Sequence, residues 1–163
     1  ILVFAKTPAA AKELNRQLTT SGFGKHYYAL VAGTPEPPSA DLENYLVKDA
    51  RTNTSRICQK NTADAKLAKL HYNLADTTFF ADIASAISAT TSQLKIKLDT
   101  GRHHQIRVQL SGMGCPIIGD TKYNSDTPKL PTGRTPLCLC AYSLEFKHPV
   151  TKKQMTFSLE HYV

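Results

Sequence analysis

The sequence predicts an α+β domain with a mainly antiparallel sheet, and three observations support this fold class. Most patterned segments are short and rich in aliphatic and aromatic residues, as strands are. Brief turns rather than long crossover helices join them, which suits antiparallel pairing. The 163 residues show no repeat or interdomain linker and suffice for a core without disulfides or metals. We therefore expect one domain over residues 1–163.

The N-terminal segment predicts a strand followed by a helix. ILVFAK at 1–6 is almost wholly apolar, which favours a buried strand. Thr7 is suited to cap a helix, and Pro8 is suited to its first position. Leu14 and Leu18 continue at helical spacing until GFG ends the helix.

The rest of the chain predicts mostly strands, of which QLKIKLD alternates most cleanly. In chain order they lie within KHYYALVAG (25–33), LENYLVKD (42–49), TSRICQK (54–60), AKLAKLHYNLA (65–75), QLKIKLD (93–99), LCLCAYSLEF (137–146) and KQMTFSLEHY (153–162). TPEPPS at 34–39 is a proline-rich loop. FFADIASAISATTS at 79–92 fits a short helix or a loop. HHQIRVQLSGMG at 103–114 predicts a short helix, with Ile106 and Leu110 at its apolar positions and glycine at its end.

Composition limits the function classes. A formal charge of +7, from 20 basic and 13 acidic residues, favours encounters with polyanions, chiefly RNA. No apolar run reaches the roughly 18 residues of a transmembrane helix. The start has neither the basic region nor the cleavage site of a secretory signal, and the four cysteines lack framework spacing, which predicts reduced thiols in the cytoplasm. The chain opens without methionine, so we expect a fragment that lacks its natural N-terminal part.

Arginines and histidines concentrate in LDTGRHHQIRVQL at 98–110, which raises the question of a metal site. The candidate ligands are His103, His104, Cys138, Cys140, His148 and His161. Their close pairs are H-H and C-x-C rather than the C-x-x-C or H-x-x-x-H of structural zinc sites. On a strand, Cys138 and Cys140 face one side and suit small core or semi-buried positions, and adjacent helical histidines point about 100° apart. We therefore predict no metal and keep a small zinc-dependent protein as an alternative.

Hydrolytic chemistry also lacks its motifs. No G-x-S-x-G elbow is present, and no cysteine has a setting that suggests an activated thiolate. GFGK and TGR are glycine turns beside a basic residue, but neither is a G-x-x-x-x-G-K-[ST] phosphate loop. A better explanation of the basic helix is an RNA contact, because Arg102, His103 and Arg107 surround a helix start whose backbone N–H groups attract anions. A solvated basic helix is the alternative.

Four strings together resemble the RluA-type RNA pseudouridine synthase family. LDTGRHHQIRVQLSGMGCPIIGDTKYN (98–124) resembles its G-R-x-H-Q-I-R helix and G-D-x-x-Y turn. GKHYYALVAG (24–33) is similar to its K-x-Y-x-A strand, and LCAYSLEFKHPVTKKQMTF (139–157) to its final hairpin. ILVFAKTPAAAKEL (1–14) resembles the strand and helix that follow its H-R-L-D-x-x-[ST]-G motif. The matches fall in order and cover nearly the whole chain.

The resemblance implies a mixed, mainly antiparallel sheet flanked by short helices, and an enzyme that isomerises specific uridines of ribosomal or transfer RNA to pseudouridine. The reaction cuts the N1–C1′ bond, rotates the base and rejoins it through C5, so no cofactor or metal is expected. The family's nucleophilic aspartate belongs to H-R-L-D-x-x-[ST]-G, which would place it about six residues upstream of Ile1. We therefore expect this chain alone to be inactive and Arg107 to lack its carboxylate partner.

The resemblance also implies roles for single residues. By motif match, Arg107 is the cation that keeps the aspartate ionised. Tyr27, of K-x-Y-x-A, would stack on the uracil that has left its helix and remove the C5 proton. Leu139 is a weaker candidate for an apolar wall around the base. The candidates for positioning the RNA backbone or bracing the motif are Lys25, Arg102 and His104.

Five neighbouring positions carry further expectations. Tyr28 should face away from Tyr27 on its strand and pack as a core aromatic. Gln109 and Cys140 stand where the family has histidines, which we interpret as local changes of packing or hydrogen bonding. Asp99 and Asp120 are expected to brace turns or loops.

The expected partner is RNA. We expect a monomer in the cytoplasm that binds neither DNA nor a membrane. A catalytically silent RNA-binding domain on the same fold is the main alternative, and a basic scaffold without an RNA role is another.

Overall fold

A seven-stranded antiparallel sheet forms the centre of the computed structural model, which describes residues 1–18, 20, 22–76 and 79–159. The strands are β1 (Gly24–Ala32), β2 (Ser39–Asp49), β3 (Thr54–Cys58), β4 (Lys66–Leu74), β5 (Thr91–Leu98), β6 (Leu139–Lys147) and β7 (Gln154–Ser158). The helices are α1 (Pro8–Leu18), α2 (Ala81–Ala86) and α3 (Gln105–Gly112). The strand order is β3-β2-β4-β5-β1-β6-β7, antiparallel at every pairing of the described strands. The predicted fold class is confirmed.

One face of the sheet carries the core. Along β5, buried Leu94, Ile96 and Leu98 alternate with exposed lysines, as the pattern predicts. Tyr27 and Ala29 of β1 lie opposite Ile96 and Leu94, so they share this face. We call it the α3 face, because α3 packs on it.

Helices α1 and α3 both pack on the α3 face. Ile106 and Leu110 of α3 join the main core cluster, and Leu110 is fully buried, a burial worth about 2 kcal/mol. Leu14 of α1 packs with Leu144 and Phe146 of β6 at the other end of the sheet. The predicted start of α1 is confirmed, because the Ala10 N–H donates to Thr7 Oγ1 at 3.2 Å.

The predicted strand at residues 1–6 is wrong. Residues 1–5 lie outside the sheet, and Leu2 and Phe4 are 81% and 83% exposed. Val3 packs against the Leu14 cluster, so alternate side chains still face the protein. The terminal amino group of Ile1 donates to Ala141 O at 2.7 Å. The segment therefore keeps the side-chain alternation of a strand without a ladder partner.

The predicted alternation at 137–140 is also wrong. Cys138 lies in the main core cluster and Leu139 packs against the same cluster, whereas Leu137 is 40% exposed. A hydrogen bond from Leu139 N–H to Leu137 O at 2.9 Å closes a three-residue turn there. The turn breaks the strand period before β6 begins.

Residues 117–118 form a buried segment that packs on the end of β1. Ile118 N–H donates to Leu30 O, and Cys138 N–H donates to Ile118 O, each at 2.9 Å. Gly119 follows with φ +80°, and a Cβ at this position would overlap the carbonyl oxygen of Pro136. This turn sets the position of Asp120 beside α3.

The remaining predicted elements fall where the sequence places them. The 79–92 segment contains α2, a helix of six residues, and the final strands pair as the predicted hairpin. The end of that hairpin prediction, residues 160–162, and the candidate ligand His161 lie outside the described residues. Among the helices of the described ranges, none is long and apolar enough to cross a bilayer.

Candidate active site

Arg107 and Asp120 form a bidentate ion pair beside α3. Arg107 Nε donates to Asp120 Oδ2 at 2.8 Å, and Nη2 donates to Oδ1 at 2.6 Å. The Asp120 side chain is 0% exposed and that of Arg107 is 16% exposed. Burial alone would raise the pKa of the Asp120 carboxyl, but the Arg107 guanidinium and two backbone N–H groups hold this pKa below its usual value. The expectation that Arg107 lacks a carboxylate partner within this chain is therefore wrong.

Asp120 also braces its own loop, as the sequence predicts. Its Oδ1 accepts the backbone N–H groups of Lys122 at 3.0 Å and Tyr123 at 3.2 Å. One carboxylate thus fixes both the turn that carries Tyr123 and the guanidinium of Arg107.

His104 links Arg107 to Tyr123. Its Nε2 lies 3.3 Å from Arg107 Nη1, and its Nδ1 lies 2.9 Å from the Tyr123 hydroxyl. Because a guanidinium only donates, Nε2 accepts, and the ring proton is on Nδ1, which donates to Tyr123. Burial, followed by the charge of Arg107, lowers the pKa of His104 to about 4, so the ring is neutral at pH 7.

His103 stacks on His104 instead of diverging from it. The ring centroids are 3.9 Å apart, and His103 Nδ1 lies 2.9 Å from Ser55 Oγ. The helix begins only at Gln105, and His104 has φ +52°, so the helical divergence of about 100° does not apply to these rings. Among the residues that the structure describes, no three His, Cys, Asp or Glu side chains gather as a metal site.

Gln105 ties α3 to the preceding TGR turn. Its Oε1 accepts from Thr100 Oγ1 at 2.8 Å and from Arg102 N–H at 2.9 Å. Its Nε2 donates to Lys69 O on β4 at 3.0 Å. Gln105 is 2% exposed, so these bonds offset the cost of burying its amide. The sequence analysis did not single out this residue.

Lys25 and Arg102 meet at the same turn. Arg102 Nε donates to Leu67 O at 2.8 Å. Gly101 leaves room for the Lys25 ammonium, because a Cβ there would lie 2.8 Å from Lys25 Nζ. Burial and then the charge of Arg102 lower the pKa of Lys25. Asp99 also lies at this turn, where it lines a small cavity with both cations.

Tyr27 lies half-buried on the α3 face, two residues from Lys25 on β1. Burial raises the pKa of its hydroxyl, so the side chain is a neutral phenol at pH 7. Tyr28 faces away from it, as predicted, and stacks on Tyr142 with centroids 4.0 Å apart. Tyr28 is half-buried on the outer face of the sheet, so its interpretation as a core aromatic is wrong.

Leu139 is close to Tyr27 in the sheet. It lies opposite Ala29, and Ala141 lies opposite Tyr27. Leu139 is half-buried and packs against the core. Cys140 lies opposite Tyr28, half-buried, where burial raises the pKa of its thiol.

Gln109, which stands where the resemblance implies a histidine, connects two elements inside the domain. Its Nε2 donates to Asn44 Oδ1 at 2.8 Å and to Leu42 O at 3.2 Å. Its Oε1 has no partner among the described residues. The side chain joins α3 to β2, which agrees with the interpretation of this position as a change of hydrogen bonding.

The structure divides the six predicted residues into three groups. Arg107 and His104 touch each other, and Lys25 and Arg102 share the TGR turn. Tyr27 and Leu139 lie on neighbouring strands of the α3 face, and the contacts of the described residues do not join either one to Arg107 directly. The sequence analysis missed Tyr123 as a partner of His104, although the G-D-x-x-Y string contained the signal. It also missed Ser55, for which no sequence signal exists.

Comparison with known proteins gives three findings. Residues 1–112 match the sequence profile of the family described as RNA pseudouridylate synthase. The dual-specificity RNA pseudouridine synthase RluA of Haemophilus influenzae is 33% identical over 159 residues, 97% of this chain and 66% of that protein. RluA of Escherichia coli is 32% identical over 158 residues, 96% of this chain and 66% of that protein. The chain thus spans about two thirds of the length of these relatives.

A solved structure supports the fold. Human RNA Pseudouridylate Synthase Domain Containing 1 superposes with a TM-score of 0.70 over 94% of this chain and 61% of that one. Its sequence is 22% identical, so this likeness concerns the fold.

Proposed function

The chain belongs to the RluA-type RNA pseudouridine synthase family, and from this premise we propose that it isomerises specific uridines of structured ribosomal or transfer RNA to pseudouridine. We propose further that residues 1–163 form a single catalytic domain. The observation that carries the proposal is the fixed guanidinium of Arg107, held by Asp120 and His104 at the start of α3.

The proposed reaction needs a carboxylate nucleophile near a cation. The N1–C1′ bond of uridine breaks, a C5–C1′ bond forms, C5 loses a proton and N1 gains one. We propose that the nucleophile is an aspartate about six residues upstream of Ile1, supplied by the longer protein. No electron or phosphoryl group is transferred, so the proposed reaction uses neither metal nor redox cofactor.

Arg107 has the donors to hold that aspartate. Of the five N–H donors of an arginine, two go to Asp120 and one goes to His104. One N–H on each terminal nitrogen then remains for a second carboxylate. Because Asp120 already fixes the guanidinium plane, a second carboxylate would bind without reorganisation of Arg107.

Tyr27 supplies the proposed surface for the uracil. It is a neutral phenol on the same face as α3, which suits stacking on a base that has left its helix. We also propose that its hydroxyl takes part in removing the C5 proton. Because its pKa is raised, the hydroxyl is a neutral phenol, so it must release its own proton to water as it takes the proton from C5. Leu139, on the next strand, would confine the base from the side.

Lys25 and Arg102 would hold the RNA backbone, with His104 bracing Arg107. The net charge of +7 supports a polyanionic substrate. We propose a cytoplasmic monomer with neither DNA nor membrane as partner. The four cysteines are free thiols, which agrees with a reducing compartment.

Release of tritium from RNA labelled at uridine C5 tests this function, because isomerisation must break the C5–H bond. We expect release by the protein extended upstream and none by the chain that starts at Ile1. Release by the shorter chain would overturn the aspartate assignment. Salt-sensitive RNA binding by the extended protein without any release would instead favour the silent RNA-binding domain.

A further inference from the structure

A second cavity lies on the α3 face, and Arg107 is not among the residues that line it. Its volume is about 360 Å³, at the lower end of the range of ligand-pocket volumes. This volume suits one nucleotide rather than an RNA double helix. Its polar lining consists of Lys48, Ser55, Asp64, Lys66, Arg102 and His103. We call it the Lys48 pocket.

The strand register explains why these side chains converge. Lys48 lies directly opposite Ser55 in the β2–β3 pairing, and Lys66 lies opposite Leu46 in the β2–β4 pairing. Leu46 is buried beneath Val108 of α3. Its cross-strand partner Lys66 and Lys48, two residues along β2, therefore face the same side. The sheet thereby brings two lysines to the edge of α3.

Arg102 and His103 close the pocket from the other side. The Arg102 Nε–H is committed to Leu67 O, which fixes the guanidinium and leaves its terminal nitrogens for a ligand. If Ser55 Oγ–H donates to His103 Nδ1, the ring proton is on Nε2, a suitable donor to an anionic oxygen.

The cations that line the pocket outnumber its carboxylates. Among the described residues, none of Lys48, Lys66 and Arg102 forms an ion pair, and Asp64 is the one carboxylate in the lining. Burial is the largest cause that lowers the pKa of His103, and the charge of Lys48 in the pocket lowers it further. An anion in the pocket would relieve this repulsion.

We propose that the Lys48 pocket binds a backbone phosphate of the substrate RNA beside the target uridine. The proposal rests on the proposed function and adds a subsite to it. Arg102 and Gly101 line both this pocket and the small cavity that contains Lys25. Lys25 is two residues from Tyr27 on the same strand face. An RNA strand that runs past Lys66, Arg102 and Lys25 would therefore reach the proposed binding site of the target uracil beside Tyr27.

A matched pair of double variants tests the subsite in the protein with its upstream sequence. Lys48→Ala with Lys66→Ala removes two pocket cations. Lys95→Ala with Lys97→Ala removes two exposed cations from the outer face of β5, with the same change in net charge. The probe is a short RNA stem–loop with uridines in its loop, and its Kd is measured over a range of salt concentrations.

We expect the pocket variant to raise Kd about tenfold near physiological salt and to reduce the slope of log K against log salt by about 0.7, as the loss of one phosphate contact on a single strand requires. In the tritium assay the loss should appear in KM rather than in kcat. Equal effects of the two double variants, or none in the pocket variant, would overturn the proposal. If the alanine variant melts early, Lys48→Gln with Lys66→Gln replaces it. Absence of tritium release in the parent, with the Kd difference intact, would count against the proposed function and leave the subsite standing.

Discussion

Asp120 binds both Nε and Nη2 of Arg107, although the two residues are thirteen positions apart in the chain. The pair is nearly free of solvent, with the carboxylate fully buried. Because Asp120 binds the Nε and Nη2 edge of the guanidinium, the edge formed by the two terminal nitrogens still has an N–H on each for a second anion. This arrangement gives Arg107 a fixed orientation before any substrate binds.

Substitution of Asp120 tests how much the Arg107–Asp120 ion pair contributes to the free energy of unfolding. Asp120→Asn keeps the shape but leaves Arg107 buried without its counter-charge, so we expect a loss of about 3 kcal/mol in the free energy of unfolding. Urea denaturation measures it. Asp126→Asn, at an exposed position, is the control and should change stability by less than about 0.5 kcal/mol. Equal stability of the two variants would show that the ion pair contributes nothing net.

His104 predicts a pH dependence of stability. Its folded pKa, about 4, lies below the usual histidine value of 6.5, so between these pH values the unfolded chain binds more protons. Stability should therefore rise with pH from about 4 to 6.5 and be fully present above that range. His104→Gln should flatten this part of the curve, and NMR titration of the ring should give a midpoint near 4. A ring that titrates near 6.5 in the folded protein would contradict this account.

Local patterns in the sequence were sufficient for most of the fold. The alternation of Leu94, Ile96 and Leu98 and the cap at Thr7 are properties of neighbouring residues, and the structure confirms both. The strand predicted for ILVFAK is absent because a strand also needs a partner in the sheet, and composition does not encode that partner. The alternation predicted at 137–140 was wrong because one hydrogen bond, from Leu139 N–H to Leu137 O, forms a turn that interrupts the two-residue side-chain period of a strand.

In the candidate site, too, the sequence predicted single residues but not the contacts between distant ones. Motif resemblance singled out Arg107, His104 and Tyr27, but it could not supply the Arg107–Asp120 pair. That contact depends on the path of residues 113–120, which return to α3 after docking on β1. Contacts between distant residues of this kind follow from tertiary packing rather than from local spacing.

Gly119 tests whether this chain path is needed. Gly119→Ala would both strain a residue with φ +80° and push a Cβ into Pro136 O, so we expect a loss of at least about 2 kcal/mol. Gly133→Ala is the matched control, because Gly133 has φ +85° but open space around its Cα. It should lose only about 1 kcal/mol, the cost of the backbone conformation. Thermal or urea unfolding compares the two, and equal losses would remove the packing argument.

Tyr27 and Tyr28 test which face of β1 meets the substrate. In the protein extended upstream, Tyr27→Leu should lower tritium release at least about a hundredfold, because it removes the stacking surface and the hydroxyl together. Tyr28→Leu loses the stack with Tyr142 on the outer face and should change release by only a few-fold. The reverse order of the two effects would place the base site on the other face.

Arg107 provides the most direct test of the account, through single-turnover tritium release from C5-labelled RNA by the extended protein. Arg107→Lys and Arg107→Ala should each lower the rate about a hundredfold to a thousandfold, since neither can bind two carboxylates through a planar fork. Arg107→Ala combined with Asp120→Asn leaves no unpaired buried charge, so it controls for lost stability and should remain equally slow. Near-normal release by the folded Arg107 variants would contradict the assignment of Arg107 to the active site.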